Sequence, residues 1–360
     1  MAKLTQVLAW PGAPLAIASA ALSGASTPLA KALLGQGVSP WLLAGLLYLG
    51  SGAGLAAVSI ARRLVRAPRR EAPLAGRDWA WMMLVVLSGG VAGPLLLMLG
   101  LAVTAASSAT LLLNLEGLAT MAIAWVVFRE NVDRRLLVGA AAILAGAAVL
   151  SWTGGGMGGI GPGALAIAGA CVAWAIDNNL TRKLSGSDPV QVAMVKGLAA
   201  GAINLVLALG VAGARLPGPP LAAAAAGVGF LGYGVSLVLF VLALRHLGTA
   251  RTSAYFSTAP FIGVALSLAL FHEPLTFRLG AAAALMGLGV WLHLSEQHEH
   301  EHTHDPLDHA HRHVHDEHHQ HAHAPGDPPG EPHTHWHRHE TLRHKHPHYP
   351  DLHHRHGHVH

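Results

Sequence analysis

The chain has 360 residues, 52% of them hydrophobic and 12% charged, with a formal net charge of +4 and a pI of about 9.5. The average joins two unlike parts: residues 1–294 hold 18 Lys/Arg against 8 Asp/Glu, whereas residues 295–360 hold 5 against 11 and carry 24 of the 27 histidines. The basic residues of the front part lie in short clusters between apolar runs rather than on one polar face, which excludes nucleic acid as the partner, and the charge-free runs of Ala, Leu, Gly and Val are a membrane composition.

About 20 mainly apolar residues cross a bilayer as a helix, and lipid forces each segment to pair its own backbone. Breaks at Gly, Pro or charges give ten such spans, at 13–35, 40–61, 79–100, 105–128, 135–152, 161–181, 190–212, 220–244, 249–271 and 276–294. The connections near Gly100 and Gly248 are very short. The first span reads as retained rather than as a cleaved signal peptide, because nine spans follow it and the small residues Ala18–Ala20 lie in mid-segment. Cytoplasmic loops carry an excess of Lys and Arg. With the N-terminus inside, those loops hold thirteen: six between Arg62 and Arg77, then Arg129, Arg134, Arg135, Arg182, Lys183, Arg245 and Arg251. The opposite loops hold Arg215 and Arg278. The chain is therefore expected to be a multi-pass protein of the inner or plasma membrane with both termini in the cytoplasm. The single Cys171 lies inside a span, so an intrachain disulfide is excluded.

The spans repeat. FRENVDRRLLVGAAAILAG (Phe128 to Gly146) and FHEPLTFRLGAAAALMG (Phe271 to Gly287) both run Phe-x-Glu, a turn, then Gly-x6-Gly. Upstream, ASSATLLLNLEGLATMAIAWVVFRE matches ARTSAYFSTAPFIGVALSLALFHE in spacing to the glutamate, and VSPWLLAG parallels SDPVQVAM. The expected organisation is a first five-helix repeat over 13–152, a Gly-rich linker over 153–160, a second repeat over 161–294 and a tail over 295–360. The linker region GGGMGGIGPG (Gly154 to Gly163) is not a phosphate loop, since it lacks the Lys-Ser/Thr ending and a preceding strand. Five is odd, so the second repeat enters the membrane from the opposite side, which puts Glu130 on a cytoplasmic turn and Glu273 on an outer one. Inverted repeats with a site near the midplane between halves are a recurrent plan for secondary transporters.

The ten-span pairing, the Phe-x-Glu and Gly-x6-Gly endings and WAIDNNLTRKLSGSDPVQ (Trp174 to Gln191) resemble the EamA-type permeases of the drug/metabolite transporter superfamily. The resemblance covers about residues 13–294 and leaves the tail uncovered. It implies an all-α integral membrane protein of ten transmembrane helices in two inverted repeats, and a carrier of small molecules rather than an enzyme. One departure stands out: the fourth span reads Leu-Glu-Gly at Leu115 to Gly117 where such repeats carry a proline, as the second copy does at Pro260.

Ionisable groups within spans are costly and usually face a bundle interior or a water-filled cavity. Glu116, beside Asn114, sits near the middle of span four and reads as either a pinned structural carboxylate or a cavity group that binds substrate or a proton. Asp177 belongs either to a salt network at the end of span six, with Arg182 and Lys183, or to the cavity with its neighbour Asn178. Lys31 and Lys196 either snorkel to the interface or act as cavity cations. Trp174, Tyr233 and Tyr255 are candidates for an aromatic wall, against the plainer reading of packing or interface anchors. Glu130 and Glu273 are expected to fasten helix ends. Gly50/Gly54, Gly89/Gly93 and Gly197/Gly201 have the spacing of close helix packing.

The tail is too polar to bury a core and is expected to be disordered. Neutral imidazoles with nearby carboxylates suit divalent Zn or Ni. His298, His300, His302, His304, His309, His311, His313, His315, His318, His319, His321 and His323 are the candidate ligands. No cofactor is expected to be required for transport. Two functions compete: a carrier of small organic molecules, read as an exporter, with the tail an accessory metal binder, and a divalent-metal transporter fed by that tail. A third, a scaffold or sensor, would show metal binding without flux. The bilayer, a small-molecule substrate and divalent metal ions are the expected partners; the oligomeric state is open, a homodimer being one arrangement.

Overall fold

The computed structural model describes residues 12–65, 74, 76, 78–128, 134–152, 160–181, 184 and 188–294, and in the tail 298–304, 307–313, 333–339 and 342–348. The body is all-helical: α1 (Gly12–Gly35), α2 (Pro40–Leu64), α3 (Asp78–Val103), α4 in two pieces (Ala106–Leu112 and Leu115–Phe128), α5 (Arg134–Ser151), α6 (Pro162–Thr181), α7 (Pro189–Gly210), α8 (219–256), α9 (Ala259–Phe271) and α10 (Phe277–Leu294). Proline opens α2, α6, α7 and α8, where its fixed φ suits the first turn and its missing N–H costs nothing. At α7 the Asp188 side chain also caps, accepting from the Val190 N–H at 2.9 Å.

Among the described residues nine helical spans are long and apolar enough to cross a membrane, and the shorter α9 is the tenth apolar helix. This is an all-α membrane architecture. Two boundaries differ from the sequence expectation. Helix α3 runs past Gly100 to Val103, and α8 continues through Gly248 to Phe256. Glycine costs a helix only about 1 kcal/mol, and the apolar residues on either side outweigh it. The connection between α3 and α4 falls at Thr104–Ala105, α4 is further interrupted at Leu113–Asn114, and the break before α9 falls at Ser257–Thr258. Counted back from Phe128 and Phe271, the breaks at Leu113–Asn114 and Ser257–Thr258 are offset by a single residue.

Helix partners recur five helices apart. α1 packs on α8 and α9 as α6 packs on α3 and α4, α2 packs against α7 and α5 against α10, and α2 also lies along α8. The α2–α7 contact is backbone on backbone. A Cβ on Gly197 would lie 2.6 Å from the Gly52 nitrogen, and one on Gly45 2.9 Å from the Leu205 nitrogen. Small residues at such crossings let helices gain packing that lipid cannot supply. Gly197→Val is therefore expected to cost about 1–3 kcal/mol or more by overpacking and to reduce the monodisperse fraction on size exclusion. A variant that elutes and melts like the parent would show that the crossing is loose.

The tail backbone runs in four extended segments, β1 (His298–His304), β2 (Leu307–His313), β3 (His333–His339) and β4 (Leu342–His348), paired antiparallel as β1·β4 and β2·β3. The sequence reading expected no regular structure there. Alternating residues favour extended backbone, yet a lone two-stranded pair is marginal in water, and these residues have too little apolar content to form a core.

Candidate functional site

A widened turn in α3 anchors the site. Residues Val86–Ala92 form a π-helical segment rich in small residues, VLSGGVA, and such bulges interrupt the regular backbone ladder and recur at functional sites. Side chains from three other helices use the carbonyls there. Tyr48 of α2 donates its O–H to the Gly89 carbonyl at 2.8 Å, and Trp174 of α6 donates its Nε1–H to the same oxygen at 2.9 Å. Asn204 of α7 donates to the Gly90 carbonyl at 2.9 Å. Position 89 must be glycine, because a Cβ there would overlap the Asp177 carboxylate.

The charged groups sit beside this turn. Lys196 of α7 forms an ion pair with Asp177 of α6, which is 4% exposed. Thr181, one turn further along α6, donates to the other Asp177 oxygen at 3.3 Å. On the opposite side, Glu116 opens the second piece of α4, just after the break, where Asn114 donates to the Leu111 carbonyl at 2.9 Å. Asn178 donates to Glu116 Oε1 at 2.9 Å and reaches Thr120 Oγ1 at 3.4 Å. Asn179 ties the same helices by donating to the Thr120 carbonyl at 3.3 Å and to Ala175 at 2.8 Å. Glu116 lies within Coulombic range of Asp177, Lys196, Tyr48 and Tyr233. Glu116 and Lys196 are half-buried and Asn178 is exposed.

Helix α8 carries a second π segment, Phe230–Val235, with glycines at 232 and 234. The nearest side chains packed on its glycines are hydroxyl-bearing. Ser19 of α1 donates to the Ser236 carbonyl at 2.7 Å, Ser236 returns a bond to the Ser19 carbonyl at 3.0 Å, and Ser26 and Ser51 line the glycines. Tyr233 joins the two regions, its ring 5.4 Å from that of Tyr48. The bundle therefore holds two widened turns, one faced by charged and amide groups and one by hydroxyls.

Of the residues expected from the sequence, the fold brings Glu116, Asp177, Asn178, Lys196, Trp174 and Tyr233 into one network, with Asn114 at the helix break beneath it. Lys31 departs from that expectation. Its ammonium donates to the Leu101 and Ala102 carbonyls at 2.6 and 3.2 Å, near the end of α3 and within range of Glu273. Glu273 accepts from the Ala106 and Ser107 N–H groups at 2.9 and 3.1 Å and from the Ser107 hydroxyl. The two fasten facing helix ends, a role set by unpaired terminal carbonyls and N–H groups. Tyr255 lies in the last turn of α8, where its carbonyl accepts from Thr258 at 2.6 Å, and among the described residues no hydrogen bond or ring contact joins it to the cluster. Glu130, Arg182, Lys183, most of the 62–77 loop and most of the Gly-rich linker lie outside the described residues, as do His315, His318, His319, His321 and His323. His298, His300, His302 and His304 fall in β1, and His309, His311 and His313 in β2. Sequence reading missed Tyr48, Thr120 and Asn204. Their signal was a lone polar group within an apolar span, which is too common to single them out without the π turn they serve.

A sequence model of the EamA-like transporter family matches residues 10–152 and again 161–295. An uncharacterized transporter of Methanothermobacter thermautotrophicus is 28% identical over 229 residues, covering 62% of this chain and 66% of that protein, just under two thirds of its length. A crystal structure described only as that of a protein superposes with a TM-score of 0.58 at 21% identity, covering 79% of this chain and 96% of the other. Likeness of that degree concerns the fold alone.

Proposed function

The chain belongs to the EamA-like transporter family of membrane transporters, and from that premise we propose that it is a secondary carrier that exports small organic molecules by alternating access. Its two halves are inverted five-helix repeats, and both termini face the cytoplasm. The observation that carries this reading is the cluster shared between halves: α2, α3 and α4 supply Tyr48, the α3 glycine carbonyls and Glu116, while α6 and α7 supply Asp177, Asn178 and Lys196. A site built across two halves changes its access when one half rocks against the other. Amino acids, other metabolites and drugs are the substrate classes in view. A bare divalent ion fits this site less well, because one of its two carboxylates is already neutralised by Lys196 and the exposed amide of Asn178 donates towards the other. Untargeted profiling of released metabolites should show compounds enriched outside overexpressing cells and depleted outside deleted ones. Identical profiles would contradict export.

The histidine tail is read as an accessory that binds several Zn or Ni ions. The segment His298 to His360 is expected to bind them through neutral imidazoles, and binding should weaken as pH falls through about 6.5, because a protonated ring has no lone pair to give. Truncation after Ser295 should leave insertion and organic transport substantially intact. A truncated protein that inserts but no longer transports, alongside intact protein that moves Zn or Ni in vesicles, would favour the metal-transporter reading instead.

A further inference from the structure

Charge and hydrogen-bonding capacity within the cluster narrow the substrate class, an argument that rests on the transport reading above. The cluster contains two carboxylates and one cation. Lys196 is committed to Asp177, so Glu116 supplies the remaining negative charge. Among the described residues its carboxylate accepts one side-chain hydrogen bond, from Asn178, and no cationic side chain pairs with it. The amides point the same way. Asn204 and Asn179, 1% and 5% exposed, direct their N–H groups to backbone carbonyls, and their own oxygens accept no bond among the described residues. Two amide oxygens thus lack a donor among the described residues, and the Glu116 carboxylate accepts a single side-chain bond. A carboxylate held at membrane depth is stabilised by a cation that arrives with the ligand. The tilted ring pair Tyr48 and Tyr233, 5.4 Å apart, adds faces that attract cations. At the turn of α8 the hydrogen bonds among the described residues are between serine hydroxyls and carbonyls.

We infer that this site takes organic molecules bearing a positive charge, an ammonium or guanidinium on an apolar skeleton, and that Glu116 is the residue that selects them. Binding forms a charge-assisted hydrogen bond from the ligand N–H to the carboxylate, and nothing covalent changes.

Three probes on one skeleton test the assignment: phenethylamine (cation), phenylalanine (zwitterion) and 3-phenylpropionate (anion). Each is titrated into the full-length detergent-purified protein by calorimetry and then followed as a labelled solute in proteoliposomes. The expected result is that phenethylamine binds at least about tenfold more tightly than 3-phenylpropionate. Glu116→Gln should remove that preference and Glu116→Asp should restore part of it, both variants melting near the parent. Equal or tighter binding of the anion, an amine affinity indifferent to Glu116→Gln, or no binding of any probe would each overturn the assignment. The vesicle arm separates the two claims. Movement of phenylalanine or 3-phenylpropionate in preference to the amine would keep the transporter and discard the charge selection. Glu116-dependent amine binding with no probe moved would support the selection and count against transport.

Discussion

Lys196→Ala is expected to destabilise the folded protein by about 3–5 kcal/mol, the cost of leaving a buried charge without its partner. The sequence left Lys196 as either a residue that snorkels to the interface or a cavity cation. The ion pair with Asp177, a residue 4% exposed and further held by Thr181, changes that expectation. The double variant Asp177→Asn/Lys196→Met should recover most of the loss, because the unpaired charge is then gone and the long side chain still fills the space between α6 and α7. Unfolding has a built-in reporter. Cys171 is the single cysteine and is 1% exposed, so a thiol-reactive fluorophore reads its appearance on heating. If Lys196→Ala melts with the parent, or the double variant melts below the single one, the pair does not hold the helices together.

Glu116→Gln should leave the protein folded and reduce flux of its substrate by roughly ten- to a hundredfold, the equivalent of losing one charge-assisted hydrogen bond of about 1.5–3 kcal/mol. Glutamine keeps the shape, and its carbonyl oxygen still accepts from Asn178, whose amide now lies 2.9 Å from Glu116 Oε1. What it loses is the charge. The control is the melting temperature measured through Cys171, and the readout is initial rate in proteoliposomes at equal protein content. Full-rate transport by this variant would return Glu116 to a structural role at the start of the second piece of α4.

The fold was largely legible because lipid leaves few options: apolar length announced each helix, proline marked four starts, and basic clusters separated the spans. What the sequence misplaced were the interruptions. The break expected near Gly100 came a few residues later, at Thr104–Ala105. Gly248 stays helical between apolar residues, and the break came where Thr258 bonds the Tyr255 carbonyl. Helix α4 gained an unexpected break where Asn114 turns its amide back onto Leu111. The site was legible as a set of costly ionisable residues but not as a set of pairs. Lys31 and Lys196 look alike in sequence, each a lone lysine in an apolar span. Tertiary geometry alone sends one to helix-end carbonyls and the other to Asp177. Tyr48 and Asn204 acquire their meaning from the π turn around Gly89 and Gly90, a widening that the run LSGGVAG permits but does not require.

The central claim, that the Glu116–Asn178 cluster lines a path opened alternately to the two sides of the membrane, is tested most directly at Asn178, the exposed member of the cluster. Its substitution by cysteine places a reporter there, with Cys171 buried and silent in the folded protein. In right-side-out and inside-out vesicles, a membrane-impermeant maleimide should label Asn178→Cys from either side, and a transported substrate should change the ratio of the two rates. Labelling from a single side at a rate indifferent to every transported solute would contradict alternating access at this cluster.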